Sequence, residues 1–319
     1  MSRVVVTGRI PQVALDSLRR DHQVWAWDHT EQISRSELLG RVQGAEAIVS
    51  LLTERIDGEV LDAAGEQLRV VANVAVGYNN VDVAACRERG VIVTNTPDVL
   101  TEATADIAMA LILMVTRRLG EGERIIRRRE PWQWGMSYLL GSGLQGKTLG
   151  IIGLGGIGAA TARRARAFGM RIVYSSRSAG APGVVQELET ARVELDELLT
   201  EADVVSVHCP YNDATHHLIG AEQLSRMKDT SYLVNTARGP ILDEAALVTA
   251  LTSGTIAGAG LDVFEREPAV HEGLLDLDNV VLLPHLGSAT VETRAAMASL
   301  AADNALAVLR GQHPPTPVS

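Results

Sequence analysis

The sequence predicts an α/β fold of two doubly wound domains, each built on a parallel sheet. Three observations lead there. The chain has 319 residues, more than one ordinary core accommodates. Short apolar strands alternate with helical segments through the first hundred residues, and the alternation restarts at Lys147. Only the second series holds a glycine-rich turn between a strand and a helix, "IIGLGGIG" at 151–158, so it is the stronger Rossmann candidate.

"RVVVT" at 3–7 is a short apolar run and predicts the first strand. Pro11 suits the first turn of the following helix, since its fixed φ and missing N–H cost nothing there. "QVWAW" at 23–27 is a second strand, and Ser34 and Glu37 have capping-box spacing before the helix "RSELLGRV". Strands follow in "AIVSLL" at 47–52, "RVVANV" at 69–74 and "VIVTN" at 91–95. From Thr101 to about Arg118 runs a helix too apolar for a surface. A charged and aromatic stretch with Trp132 and Trp134 comes next. The second series comprises "TLGIIG", a helix over 156–168, then "RIVYSS", "DVVSVHC", "SYLVNTA", the helix "DEAALVTAL", "AGAGLDV" and "NVVLLPH". An alanine-rich helix from about Val291 to Leu309 precedes "QHPPTP", expected to be a tail.

Hydrophobic residues are 46% and charged residues 21% of the chain, the balance of a soluble globular protein. The net charge of −10 and pI near 5.3 argue against a nucleic-acid partner, whose footprint is basic. The run Arg124, Arg127, Arg128 and Arg129 is read as a solvated helix end. Cys86 and Cys209 offer neither a disulfide framework nor metal-ligand spacing, so no metal is expected, and both are read as buried, inert thiols. "MSRVVVTGRIP" lacks the apolar core of a signal peptide, and "IAMALILMV" is about half the length that spans a bilayer. A cytoplasmic protein without membrane contact is the expectation.

Gly153, Gly155 and Gly158 satisfy the dinucleotide fingerprint in its strand–turn–helix setting. The first glycine permits the tight turn, the second lets the backbone approach a diphosphate, and the third lets helix and strand pack closely. An acidic residue at the end of the next strand would bind a ribose 2′-hydroxyl. The matching positions hold Ser175 and Ser176, followed by Arg177, whose planar fork suits a 2′-phosphate. NADP(H) is therefore the preferred cofactor, with NAD(H) as the alternative.

Three polar residues stand in turn-like breaks of the second series: Arg238 in "NTARGPILDE", Glu267 in "LDVFEREP" and His285 in "LLPHLGSAT". Arg238 and His285 follow strands, where doubly wound sheets place their ligands. These motifs, with "NVAVGYNNVDVAACRERGVIVTNTPDVLTEATAD" at 73–106 and "GKTLGIIGLGGIG" at 146–158, resemble the D-isomer-specific 2-hydroxyacid dehydrogenase family, in its glyoxylate/hydroxypyruvate reductase branch. The resemblance spans nearly the whole chain. It implies a discontinuous substrate domain, 1–99 plus 287–319, around a dinucleotide domain, 100–286, that includes a dimer arm near 120–145.

The resemblance further implies His285 as acid–base, Glu267 as its carboxylate partner and Arg238 as substrate anchor. Substrate contacts would come from Leu52, the backbone amides of Val76 and Gly77, Arg238 and Ser288. Cofactor contacts would come from Thr104, Gly153, Gly155, Gly156, Ile157, Gly158, Ser176, Arg177, Pro210, Thr215, Thr236, Asp262, His285 and Gly287. The implied reaction is NADPH-dependent reduction of glyoxylate or hydroxypyruvate by a homodimer. A 2-ketogluconate or other 2-oxo acid reductase stays open, as does a dinucleotide-sensing corepressor-like protein. No basic residues for a substrate phosphate stand near "AVGYNN", and no lysine near Val76, which argues against phosphoglycerate and phosphite dehydrogenases. His216 and His217 are read as loop residues near the cofactor's edge at most.

Overall fold

The computed structural model describes residues 1–318. The first elements are β1 (Arg3–Val6), α1 (Gln12–Arg19), β2 (Gln23–Ala26), α2 (Arg35–Arg41), β3 (Ala47–Ser50), α3 (Gly58–Ala64), β4 (Val70–Asn73), α4 (Val83–Glu88) and β5 (Ile92–Thr94). The helices α5 (Thr101–Thr116) and α6 (Leu119–Arg127) lead to β6 (Thr148–Ile152), α7 (Gly156–Ala167), β7 (Arg171–Ser175), α8 (Pro182–Glu187) and β8 (Ala191–Arg192). The remainder is α9 (Leu195–Glu201), β9 (Val204–Val207), α10 (Ala221–Arg226), β10 (Tyr232–Asn235), α11 (Glu244–Ser253), β11 (Gly258–Leu261), α12 (Glu272–Leu275), β12 (Val280–Leu282) and α13 (Val291–Leu309). The chain divides into two compact units, Met1–Leu100 with Ala289–Ser319, and Thr101–Ser288.

Unit 1 is a five-stranded sheet in the order β2-β1-β3-β4-β5, every pair parallel. Its strands are apolar on both faces because helices cover both. Ser34 caps α2 by accepting from the Glu37 N–H, but the Glu37 side chain pairs with Arg41 instead of closing the box. Pro11 is the cap residue rather than part of the first turn; α1 begins one residue later. "QHPPTP" is not a free tail. The Asn95 N–H donates to the Thr316 carbonyl and the Val318 N–H to that of Val93, and Pro317 makes an antiparallel bridge to Thr94. This pairing covers the edge of β5, where open N–H and C=O groups would otherwise invite association.

Unit 2 is a seven-stranded parallel sheet in the order β12-β11-β10-β9-β6-β7-β8. The apolar helix α5 packs on one face with Leu111 and Ile112 fully buried, as its composition demands. The basic run ends α6, which is the helix its spacing implies. The short strand β8, two exposed residues, and the short helices α8, α9, α10 and α12 go beyond the elements that the sequence pattern marks. Among the described residues no helix is long and apolar enough to cross a membrane.

Both units place a glycine where strand order reverses. In unit 1 the reversal lies between β1 and β3, and a Cβ on Gly8, just after β1, would overlap the Leu51 side chain, just after β3. In unit 2 it lies between β6 and β9, and a Cβ on Gly153 would come within 2.7 Å of the Cys209 nitrogen. Crevices at such points are where doubly wound sheets bind ligands.

Candidate active site

In unit 2, the dinucleotide turn is built by close approach. Gly153 has φ +97°, a conformation that disfavours any side chain. A Cβ on Gly158 would collide with the Gly153 carbonyl, so α7 lies against the turn only because that position is glycine. A Cβ on Gly155 would meet nothing within 4 Å. The open side of Gly155 and the uncapped start of α7 at Gly156 and Ile157 leave backbone N–H groups free for a diphosphate. The residues present thus fit a dinucleotide.

At the end of β7, Ser176 Oγ donates to the Ser178 carbonyl at 2.5 Å. The Arg177 guanidinium has no hydrogen-bond or ion-pair partner among the described residues, while its backbone carbonyl accepts from Arg192 Nη2 at 3.1 Å. Arg192, on β8, was missed in the sequence because a two-residue strand has no legible periodicity.

Pro210 and Thr215 shape one loop: Thr215 Oγ1 donates to the Pro210 carbonyl at 2.8 Å and accepts from the Asn212 N–H at 2.8 Å. At the ends of the neighbouring strands β9 and β10, His208 Nδ1 and Thr236 Oγ1 are buried without a partner. Burial lowers the His208 imidazole to about 4, so it is neutral near pH 7. Cys209 is half-buried and its thiol is pushed up to about 11, mainly by burial, which keeps it inert.

The His285–Glu267 pair lies at the ends of β11 and β12. His285 Nδ1 is 2.7 Å from Glu267 Oε2. A carboxylate can only accept, so Nδ1 carries the proton and Nε2 is the free reactive edge. The other carboxylate oxygen of Glu267 accepts from the Phe264 N–H at 3.0 Å, which fixes the rotamer. Burial alone would raise the Glu267 carboxyl, but the bond and charge of His285, the Phe264 N–H and Arg238 outweigh it and hold it below its usual range. His285 adopts φ +55°, rare for a bulky side chain. Asp262 holds that conformation: its backbone carbonyl accepts from the His285 N–H at 2.9 Å, and its buried carboxylate from the N–H groups of Leu286 at 2.6 Å and Gly287 at 2.8 Å. Thr104, on α5, donates to the Gly287 carbonyl at 3.1 Å. Burial raises the Asp262 carboxyl despite those two N–H bonds.

Arg238 follows β10. The Asn235 amide donates to its carbonyl at 2.9 Å and accepts from the Ala237 N–H at 3.0 Å, a local turn that fixes the backbone. Its guanidinium makes one hydrogen bond, to the Ala237 carbonyl at 2.7 Å, and leaves its other donors open. Burial lowers its pKa, partly offset by the Glu267 charge. A Cβ on Gly239 would overlap the Phe264 carbonyl, so the Arg238 and Glu267 turns touch there. His217, expected only near the cofactor's edge, pairs with Glu265 at 2.5 Å, and the Glu265 N–H donates to the buried Glu244 carboxylate. The structure therefore brings Arg238, Glu267 and His285 together in unit 2, which ends at Ser288.

In unit 1, Leu52 is exposed just after β3, and Val76 and Gly77 form a half-buried turn after β4.

A fixed dinucleotide turn and a histidine–carboxylate pair beside an arginine define a nucleotide-dependent oxidoreductase. Residues 109–287 match the model of the D-isomer specific 2-hydroxyacid dehydrogenase NAD-binding domain. The glyoxylate reductase of Thermococcus onnurineus is 49% identical over 99% of this chain and 96% of its own. A crystal structure of a glyoxylate reductase from Paecilomyes thermophila superposes with a TM-score of 0.90 at 36% identity, covering 99% and 98% of the two chains. The NADPH-dependent glyoxylate/hydroxypyruvate reductase of Sinorhizobium meliloti, solved with NADP and malonate, gives 0.86 at 38% identity, covering 100% and 97%. The chain belongs to the D-isomer specific 2-hydroxyacid dehydrogenase family, in the branch of the glyoxylate reductases. It is a D-2-hydroxyacid dehydrogenase that uses a nicotinamide dinucleotide.

Proposed function

We propose that the protein reduces glyoxylate and hydroxypyruvate with NADPH, with His285 as the proton donor. The observation that carries this reading is the 2.7 Å His285–Glu267 pair beside an arginine with open donors. When bound, the dinucleotide supplies a hydride to the carbonyl carbon of the oxo acid. His285 Nε2 gives the proton to the carbonyl oxygen, and the Glu267 carboxylate stabilises the imidazolium that precedes this transfer. Arg238 binds the substrate carboxylate and polarises the carbonyl. In unit 1 the amides of Val76 and Gly77, with Leu52, are assigned to the substrate, as is Ser288 in unit 2. Thr104, Asp262, Thr236, Pro210, Thr215 and Gly287 are assigned to the cofactor site.

The preference for NADPH rests on Arg177, whose guanidinium is unpaired, and on the lack of a carboxylate at the end of β7. Three relatives bear on the substrate by name, the glyoxylate reductases of T. onnurineus and P. thermophila and the glyoxylate/hydroxypyruvate reductase of S. meliloti. Homodimerisation is assigned to the segment after α5. It exposes Leu119, Ile126, Trp132, Trp134, Met136 and Leu140, an apolar density unusual on a monomer's surface. The test is oxidation of the reduced dinucleotide, followed by its absorbance, with NADPH and NADH against glyoxylate, hydroxypyruvate, pyruvate, phenylpyruvate and 2-ketogluconate. The reading expects the highest kcat/KM for the first two with NADPH. A preference for phenylpyruvate or 2-ketogluconate, or no turnover, overturns it.

A further inference from the structure

Unit 1 contains three asparagine side chains, Asn73 buried and Asn80 and Asn95 half-buried, to which the chemistry above gives no role. Three successive carbonyls of the turn after β4 are each held by one donor. The Ala75 carbonyl accepts from the Thr96 N–H at 2.8 Å, that of Val76 from Asn95 Nδ2 at 2.8 Å, and that of Gly77 from Asn73 Nδ2 at 3.0 Å. In a planar trans peptide the carbonyl of one residue and the N–H of the next point in opposite directions. Holding these three carbonyls therefore aims the N–H groups of Val76, Gly77 and Tyr78. Among the described residues none of those three N–H groups has a partner. Successive free N–H groups of this kind form a nest for an anion.

Asn80 ties the turn to the segment after β3. Its Nδ2 lies 3.0 Å from the Leu51 carbonyl, 3.1 Å from that of Glu54 and 3.2 Å from Asn73 Oδ1. Asn73 is fully buried and also accepts from Ser50 Oγ at 3.1 Å, so its amide cannot turn over without losing bonds on both sides. The buried Glu54 carboxylate holds the other end of the same segment, accepting from Thr7 Oγ1 at 2.5 Å and from the Leu51 N–H at 3.0 Å.

We infer that Asn95 and Asn73 are positioning residues that aim the N–H groups of Gly77 and Tyr78 at the substrate carboxylate, beside that of Val76, and that Asn80 locks their turn to the Leu51–Glu54 segment. Tyr78 thereby joins the anion-binding backbone. The inference rests on the function proposed above, in which this turn receives the oxo acid's carboxylate. The asparagines do not touch substrate; they set how well the amides are aimed, and so govern affinity for the anion more than the rate of hydride transfer.

Asn95→Ala is the cleanest test, because its side chain makes one hydrogen bond, to Val76, and its backbone bonds to the C-terminal segment are retained. Asn80→Ala removes the tie to Leu51. Each variant is assayed for kcat and KM with glyoxylate, the inhibition constant of oxalate, NADPH affinity by fluorescence, and its melting transition. Each lost hydrogen bond should raise KM and the oxalate constant together by about three- to tenfold. Turnover and NADPH affinity should stay within about twofold, below the energy of one such bond. Should Asn80→Ala lack a cooperative melt, Asn95→Ala decides. A folded Asn95→Ala with the wild-type KM, or one whose NADPH affinity falls in step with KM, overturns the inference. Wild type inactive on every 2-oxo acid would overturn the proposed function instead.

Discussion

Replacing Glu267 with glutamine removes a charge while keeping the shape of the His285 partner. In the wild type one carboxylate oxygen accepts from His285 Nδ1 and the other from the Phe264 N–H. Glutamine has only one acceptor oxygen, so one of those two donors must face an NH2 group. Both side chains are less than one third exposed, at 27% for His285 and 31% for Glu267, so solvent screens the pair only partly. A charge-assisted hydrogen bond in this setting is worth about 1.5–3 kcal/mol. At about 1.36 kcal/mol per factor of ten that corresponds to roughly ten- to a hundredfold in rate. The sign follows from the geometry: the carboxylate both orients the imidazole and balances its charge, and glutamine does neither fully. In Glu267→Gln, kcat for reduction should therefore fall by about ten- to a hundredfold. The assay is initial rate with saturating NADPH and glyoxylate, with deuterated cofactor to confirm that hydride transfer is observed. A kcat that stays within about twofold of the wild type, less than one such bond contributes, would refute the assigned role of the carboxylate.

His285→Asn should leave dinucleotide affinity nearly intact and lower kcat by about 10²–10⁴-fold, the usual contribution of a general acid; wild-type turnover at every pH removes His285 from the mechanism. Arg177→Ala should shift the NADPH/NADH ratio of kcat/KM toward NADH by up to roughly tenfold, solvent reducing the effect because the loop is exposed. Arg192→Ala should shift it the same way but less, through the lost anchor on the Arg177 carbonyl; an unchanged ratio in both variants removes this loop from cofactor choice. Gly158→Ala should weaken dinucleotide binding and lower the melting temperature, since its Cβ overlaps the Gly153 carbonyl, and calorimetry with and without NADPH separates the two effects. Burial holds His208 at about 4 against an unfolded value near 6.5. Its folded pKa is depressed, so the neutral native ring contributes nothing unfavourable above pH 6.5 and costs stability progressively as pH falls toward 4. The loss is at most about 3 kcal/mol, and urea titrations of wild type and His208→Asn should diverge over that window and differ by a constant above it, set by the lost bond to Ser206.

Local sequence determined much of this protein. Short continuous apolar runs and the strand–helix alternation were enough to place most of the parallel strands, because a buried parallel strand must be apolar on both faces. The dinucleotide turn was legible for a similar reason: Gly153 and Gly158 admit no side chain, so backbone geometry is written into residue identity. Arg238, Glu267 and His285 could be picked out from their flanking motifs. Their arrangement could not, since the 2.7 Å His285–Glu267 contact joins loops after different strands and depends on Asp262 holding a left-handed histidine. The short strand β8, with Arg192, and the pairing of "QHPPTP" along β5 were illegible because each is defined by its partner rather than by any pattern of its own. The asparagine frame of unit 1 belongs to the same class. Asn73, Asn80 and Asn95 are unremarkable polar residues in the chain, and only the fold, by bringing the ends of β3, β4 and β5 side by side, turns their amides toward the carbonyls that aim the turn. Propensity and packing are local enough to be carried by sequence; hydrogen bonds between distant loops exist only after the sheets have closed.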